Sequence, residues 1–348
     1  MLRQLCSCIR PGRARPAVGL AIVLTIALHG LQGVAQTEAP SAAVPATDPK
    51  RFNASIVRVE TKVPGEAQSS QTLGSSRNGS GVILSKQLVL TIGYLLLEAE
   101  QVDITLASGR KVPGSVAGYD HSSGFGLVRT ALPMDGLPLE LGDSDSVAER
   151  QKLLTQGQGE AEATELYVLS RKPFTGSWEY MLDRPIFTFP PVNNWSGSAL
   201  ITEEGKLVGI GSLIVNDAAT GQRGVPGNLF VPVNLLKPIL SDLLARGRRA
   251  APVQPWLGMT TEIVRGNLMV VRVSKDGPAD AAGVEPGDII LGVGTDKVVD
   301  QSDFYRHVWS MGPAGTQVPL RLLKAGDVKE VQVKSADRMD LLRKPSGI

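Results

Sequence analysis

The sequence predicts a mainly β protein of two domains, and three observations carry the prediction. Short runs rich in Val, Ile and Leu follow one another from Ile56, separated by Gly, Ser, Asp and Pro clusters, which is the spacing of an antiparallel barrel or sandwich. A single long helical pattern follows, Pro232 to Leu244, where Leu235, Leu236, Ile239, Leu240, Leu243 and Leu244 recur three and four apart. Beyond a basic, Gly-containing stretch at 246–252, a second β-rich module of about 85 residues begins, a size that folds alone. With 348 residues, 42% hydrophobic and 20% charged, the chain has material for two cores and is too balanced for a disordered polymer.

In chain order, residues 1–35 read as an export signal. Arg3, Arg10, Arg13 and Arg15 precede an apolar run from Val18 to Leu28, and Gly33-Val34-Ala35 offers a small-residue cleavage site before Gln36. Cleavage would deliver the chain to the periplasm or outside the cell; an uncleaved signal would anchor it in the membrane. Without these four arginines the formal charge of +2 turns to −2, which removes the compositional case for nucleic-acid binding. Cys6 and Cys8 both lie in the signal, so the processed chain has no disulfide, thiol nucleophile or thiolate metal site. Residues 36–54, rich in Ala, Pro, Thr and Ser, form a flexible lead-in.

The first domain, 55–245, opens with the runs Ile56–Val59, Gly81–Leu84, Leu88–Leu90, Val102–Leu106 and Gly126–Val128. The helical pattern closes it, and 246–252 is expected to be a solvated hinge. The second domain, 253–336, carries strands around 268–273, 289–293, 318–323 and 329–333, with helices near 279–282 and 302–311. Residues 337–348 are expected to be a tail. No internal repeat relates the two domains.

Several separated strings carry a family resemblance. Asn78-Gly79-Ser80-Gly81-Val82-Ile83-Leu84, Leu141-Gly142-Asp143-Ser144-Asp145 and Phe230-Val231-Pro232-Val233-Asn234 resemble segments of the HtrA/DegP family of trypsin-like serine proteases. Trp256-Leu257-Gly258-Met259 and the string from Gly277 to Ile290 resemble a PDZ domain of the type appended to those proteases. The resemblance implies a trypsin-like double β-barrel followed by a PDZ domain, β-rich with two helices, and suggests a homo-oligomer, a trimer.

A protease of that kind needs a serine nucleophile, an imidazole base, a carboxylate to orient it and backbone donors for the oxyanion. Asn194-Trp195-Ser196-Gly197-Ser198-Ala199-Leu200 aligns with the family's GNSGGPL, which assigns the nucleophile position to Ser196. Leu90-Thr91-Ile92-Gly93-Tyr94-Leu95-Leu96 stands where the family reads LTNNHVV, so Tyr94 replaces the histidine. Asp120 to Val128 stands where the family reads DPETDLALL, so Gly124 replaces the aspartate. Asn194 occupies a glycine position of the oxyanion loop, whose donors would be Asn194 and Ser196, and Trp195 replaces a small polar residue. A phenol accepts a proton only as phenolate, with an ordinary pKa near 10. A relocated base is conceivable at His121, beside Asp120; a surface-loop histidine is the plainer reading. Lys206 reads as part of a charged hairpin, and His307 falls in the second module.

The resemblance also implies that Trp256, Leu257, Gly258 and Met259 hold a peptide's terminal carboxylate while the peptide adds as a strand. Free C-terminal peptides ending in Val, Leu, Ile or Phe, or unfolded polypeptides, are the expected partners; the plainer alternative is that the module packs on the first domain and binds nothing. No cofactor fingerprint, metal cluster or phosphate loop is visible. Taken together, these readings imply an exported, proteolytically silent protein that binds peptides in envelope protein quality control; the alternative is an active serine endopeptidase using Ser196 with a non-standard base.

Overall fold

The computed structural model describes residues 48, 50–250 and 252–343. Residues 1–35, read above as an export signal, with Cys6, Cys8 and His29, and most of the expected lead-in lie outside the described residues. Six strands form a closed antiparallel barrel: β1 (Ile56–Lys62), β2 (Ser76–Ser85), β3 (Leu88–Ile92), β4 (Gln101–Thr105), β5 (Lys111–Tyr119) and β6 (Phe125–Thr130). Along β1 the period of two is visible in burial: Val57, Val59 and Thr61 face the core, while Arg58 and Lys62 face solvent.

A second closed barrel uses β7 (Lys152–Gln156), β8 (Thr164–Ser170), β11 (Ile186–Phe189), β12 (Ala199–Ile201), β13 (Leu207–Val215) and β14 (Gly227–Pro232). All of β14 is buried: Leu229, Phe230 and Val231 pack in the core, and the Asn228 side chain is satisfied by the Val192 amide at 2.7 Å and carbonyl at 3.1 Å. Between β8 and β11 the chain leaves the barrel as a small hairpin of β9 (Phe174–Gly176) and β10 (Tyr180–Leu182). Residues of both barrels, among them Val59, Leu90, Leu127, Ile201 and Val231, share one buried apolar cluster.

The remaining sheet runs β15 (Met259–Val264), β16 (Asn267–Val273), β17 (Ile289–Val293), β19 (Gln317–Lys324) and β20 (Asp327–Lys334), with β18 (Asp296–Lys297) paired to β17. β15 is an edge. Counting the four-residue α1 (Ser70–Leu73), the helices of the last module are α3 (Pro278–Ala281), α4 (Gln301–Ser310) and α5 (Arg338–Leu341), after α2 (Leu240–Arg246) at the end of the barrels. Asp300 caps α4 by accepting from the Asp303 amide at 2.8 Å, and Phe304, Tyr305 and Val308 bury that helix against Leu257, Met259 and Val270.

Three sequence expectations change. The helix expected over 232–244 is a 3-10 turn at Val233–Leu235 followed by α2, because Pro238 has no amide to donate and interrupts the helical ladder. The hinge is pinned rather than solvated: Arg249 makes a two-pronged pair with Asp120 at 2.6 and 2.9 Å, and Asp120 is 3% exposed. The expected tail contains α5, whose Asp337 side chain accepts from the Met339 amide at 2.9 Å.

Candidate functional sites: a serine and tyrosine pair and a carboxylate-filled loop

Ser196 sits on a turn that feeds β12. The turn is fixed from both barrels: the Ser80 amide of β2 donates to Ser196 O at 2.7 Å, and the Gly197 amide donates to Gly211 O of β13 at 2.8 Å. Gly197, at φ +74°, passes so close to β2 that an added Cβ would lie 2.0 Å from Ser80 O. Only glycine fits this approach.

Tyr94 follows β3 on a 3-10 turn, Gly93–Leu95, which carries its ring toward the serine. Its hydroxyl lies 2.8 Å from Ser196 Oγ and 3.0 Å from Ser212 O on β13. A phenol has one proton, and a carbonyl only accepts. Both contacts are satisfied together when Tyr94 donates to Ser212 and the Ser196 hydroxyl donates to Tyr94. Burial pushes the Tyr94 phenol up to about 12, against the opposing pull of hydrogen bonds from Ser196 and Trp195. At neutral pH about one molecule in 10⁵ would then carry phenolate.

Gly124 is in the left-handed region at φ +81°, and a Cβ there would meet the Tyr180 hydroxyl at 3.0 Å. That hydroxyl donates to Ser123 O at 2.8 Å. The position aligned with the family's carboxylate is thus backed by an aromatic side chain from β10. Asn194 is exposed, its Nδ2 donating to Glu160 at 3.2 Å, and among the described residues it is not one with positive φ.

His121 does not meet Ser196. Its ring nitrogens face the Tyr119 hydroxyl at 3.1 Å, the Glu179 carbonyl at 3.3 Å and Arg338 at 3.0 and 3.2 Å. Burial, aided by Arg338, pulls its pKa well below the ordinary value and keeps the ring neutral. Lys206 is paired with Glu140, and His307 lies on α4 beside Asp303 at 3.1 Å.

The loop Trp256–Met259 presents three consecutive amides to one carboxylate, and that carboxylate belongs to the same chain. Glu179 accepts from Leu257 at 2.8 Å through Oε2, and from Gly258 at 2.7 Å and Met259 at 3.0 Å through Oε1. Gly258, at φ +82°, turns the loop, and an added Cβ would stand 3.0 Å from the Trp256 ring. The rest of the hairpin follows its glutamate: the Thr261 amide donates to Ser177 O at 3.2 Å, and the Tyr305 hydroxyl donates to Gly176 O at 2.9 Å while accepting from the Glu179 amide at 3.0 Å. Met181 packs against the module's apolar core.

Glu179, Tyr180, Ser212, Tyr305 and Arg338 were not singled out by sequence. A signal existed for the first: β9 and β10 are joined by a three-residue loop, Ser177 to Glu179, whose last position favours glycine in such hairpins. A glutamate there, at φ +58°, spends conformational energy to aim its side chain.

Residues 79–210 match the trypsin-like peptidase domain family, and residues 255–335 match the PDZ domain family. The chain is 26% identical over 289 residues to a probable periplasmic serine endoprotease DegP-like of Hahella chejuensis, covering 78% of this chain and 58% of that protein. It is likewise 26% identical to the periplasmic serine endoprotease DegP of Salmonella typhimurium, covering 78% of this chain and 60% of the relative. It therefore spans less than two thirds of the length of these curated relatives. In fold it is similar to the HtrA-type protease AlgW, solved with a decapeptide, at a TM-score of 0.52 and 18% identity, covering 87% of this chain and all of that one. A variant of the same protease with a tripeptide gives 0.53 at 20% identity, covering 87% and 98%.

Proposed function

The chain belongs to the HtrA-like family, a trypsin-like peptidase domain followed by a PDZ domain, and we propose that within it this protein is proteolytically silent and works by binding peptides that end in a free carboxylate. One observation carries the first half: the serine's proton path runs through Tyr94 to Ser212 O, a neutral carbonyl that takes no proton. In the Ser-His-Asp arrangement the path ends on an imidazole that a carboxylate stabilises once charged. Here the base is a phenol held at about 12, so attack on a carbonyl lacks a group to collect the hydroxyl proton. The second half is supported by the three amides of Leu257, Gly258 and Met259, which converge on a carboxylate in the manner of terminal-carboxylate capture.

The export signal read at 1–35 and the names of the relatives, periplasmic serine endoproteases, support action in the cell envelope, on unfolded or exposed chain ends. The test of silence is direct. Incubate the purified chain with a fluorophosphonate probe and with casein: no labelling at Ser196 and no turnover are expected at pH 7. Stoichiometric labelling, or turnover lost in Ser196→Ala, returns the protein to the active serine endopeptidases.

A further inference from the structure

Every donor of the carboxylate-binding loop is already used. Leu257, Gly258 and Met259 each give their amide to Glu179, whose side chain sits in a residue only 5% exposed. The open edge of β15 is met as well, at Thr261, by the backbone of Ser177. Met181 supplies an apolar side chain to the module's core, and Tyr305 of α4 holds the hairpin from the opposite wall through two backbone bonds. Carboxylate, strand contact and apolar side chain are the three features by which such a groove recognises a peptide, and one nine-residue hairpin of the same chain, 174–182, brings all three.

We propose that Glu179 is an internal ligand that holds the PDZ groove shut, its side-chain carboxylate standing in for a peptide's terminal one, so that an outside peptide binds only by expelling the 174–182 hairpin. This rests on the reading of the module as a carboxylate-capturing groove. Belonging to the same chain makes the glutamate's competition with an outside peptide intramolecular, so it is independent of protein concentration. An outside peptide therefore meets a groove that is open only in a small fraction of molecules, and its apparent affinity falls by that fraction.

The experiment uses the full chain and two labelled decapeptides ending in valine, one a free acid and one an amide, followed by fluorescence anisotropy. Hydrogen exchange at the amides of Leu257, Gly258 and Met259 is read in parallel without peptide. Glu179→Gln sets an amide N–H₂ against an N–H donor of the loop; Tyr305→Phe loosens the hairpin while leaving Glu179 and the loop untouched. Both variants are expected to bind the free-acid peptide at least about tenfold more tightly than wild type, the scale of one charge-assisted hydrogen bond, with no gain for the amide and with faster exchange at the three amides. Equal affinity in wild type and both variants overturns the internal ligand and leaves peptide binding standing. Faster exchange in the variants with no peptide bound by any of the three proteins keeps the internal ligand and removes the peptide-binding reading. Unchanged exchange in both variants overturns the internal ligand outright.

Discussion

Replacing an imidazole by a phenol changes where a proton can go. Tyr94 keeps the serine within hydrogen-bond reach, 2.8 Å from Ser196 Oγ, so geometry alone would pass for a nucleophile and its base. On the proposal of a silent serine, what fails is proton affinity at neutral pH, with Gly124 rather than a carboxylate at the position beyond. Restoring the family's residues meets a second obstacle at Gly124. Its φ of +81° and the Tyr180 hydroxyl 3.0 Å from the position of a new Cβ oppose an aspartate on both backbone and steric grounds, the first costing roughly 1–2 kcal/mol. Tyr94→His with Gly124→Asp is therefore expected to show no casein turnover above wild type and a lowered midpoint of urea unfolding. Robust turnover from those two changes would mean that the hairpin yields readily and that the barrel retains a working oxyanion site.

At the scale of elements, the hairpin of β9 and β10 is the part whose docking responds to pH. Burial pushes the Glu179 carboxyl up to about 7, outweighing the bonds from Leu257, Met259 and Gly258 and the pull of Arg338. The docked hairpin thus holds a proton that a free glutamate, with an ordinary value of 4.5, has already released. Docking is strongest at low pH and weakens as pH rises from about 4.5 to 7, then levels off. The titratable groups facing Glu179 are shifted away from that range: burial, aided by Arg338, holds His121 well below its ordinary value, and burial pushes the Tyr305 hydroxyl above its own. The free-acid peptide is expected to bind the wild-type chain about tenfold more tightly at pH 8 than at pH 5.5, while Glu179→Gln shows a flat profile over that range. A wild-type profile as flat as that of the variant would remove Glu179 as the titrating group.

For the whole molecule, the barrels and the PDZ module are joined by more than a linker. The buried Asp120 carboxylate accepts two bonds from Arg249 and two from Ser123, and Arg248 reaches Asp337 and Asp340 across the same boundary at 3.1 and 3.0 Å. Asp120 is buried while Arg249 is partly exposed, so removing the carboxylate breaks two charge-assisted bonds but leaves the guanidinium within reach of water, a loss of about 1–3 kcal/mol. Asp120→Asn is expected to lower stability by that order, measured by urea unfolding, and to split the calorimetric transition so that the PDZ module melts first. A single transition at the wild-type midpoint would show that Arg249 is solvated in practice, as the sequence of the hinge first suggests.

That hinge illustrates what sequence could and could not decide here. The strand runs from Ile56 onward, the strings around Ser196 and the Gly277–Ile290 stretch are local patterns, set by the period of side chains and by turn chemistry, so fold class and domain order were legible from the chain alone, and Tyr94 and Gly124 could be named there as the residues aligned with the family's histidine and aspartate. Pro238 was legible too and was outvoted by leucine spacing, although a missing donor overrides periodicity. Strand β5 escaped because Pro113, Gly114 and Gly118 interrupt its alternation. The meeting of Glu179 with Leu257, Gly258 and Met259, about eighty positions away along the chain, has no local signature beyond a glutamate in a glycine's turn position. Only the packing of the hairpin on the second module sets that side chain against three converging amides, and it is these tertiary neighbours, not a property of the residue, that make an ordinary glutamate a ligand while burial opposes its charge.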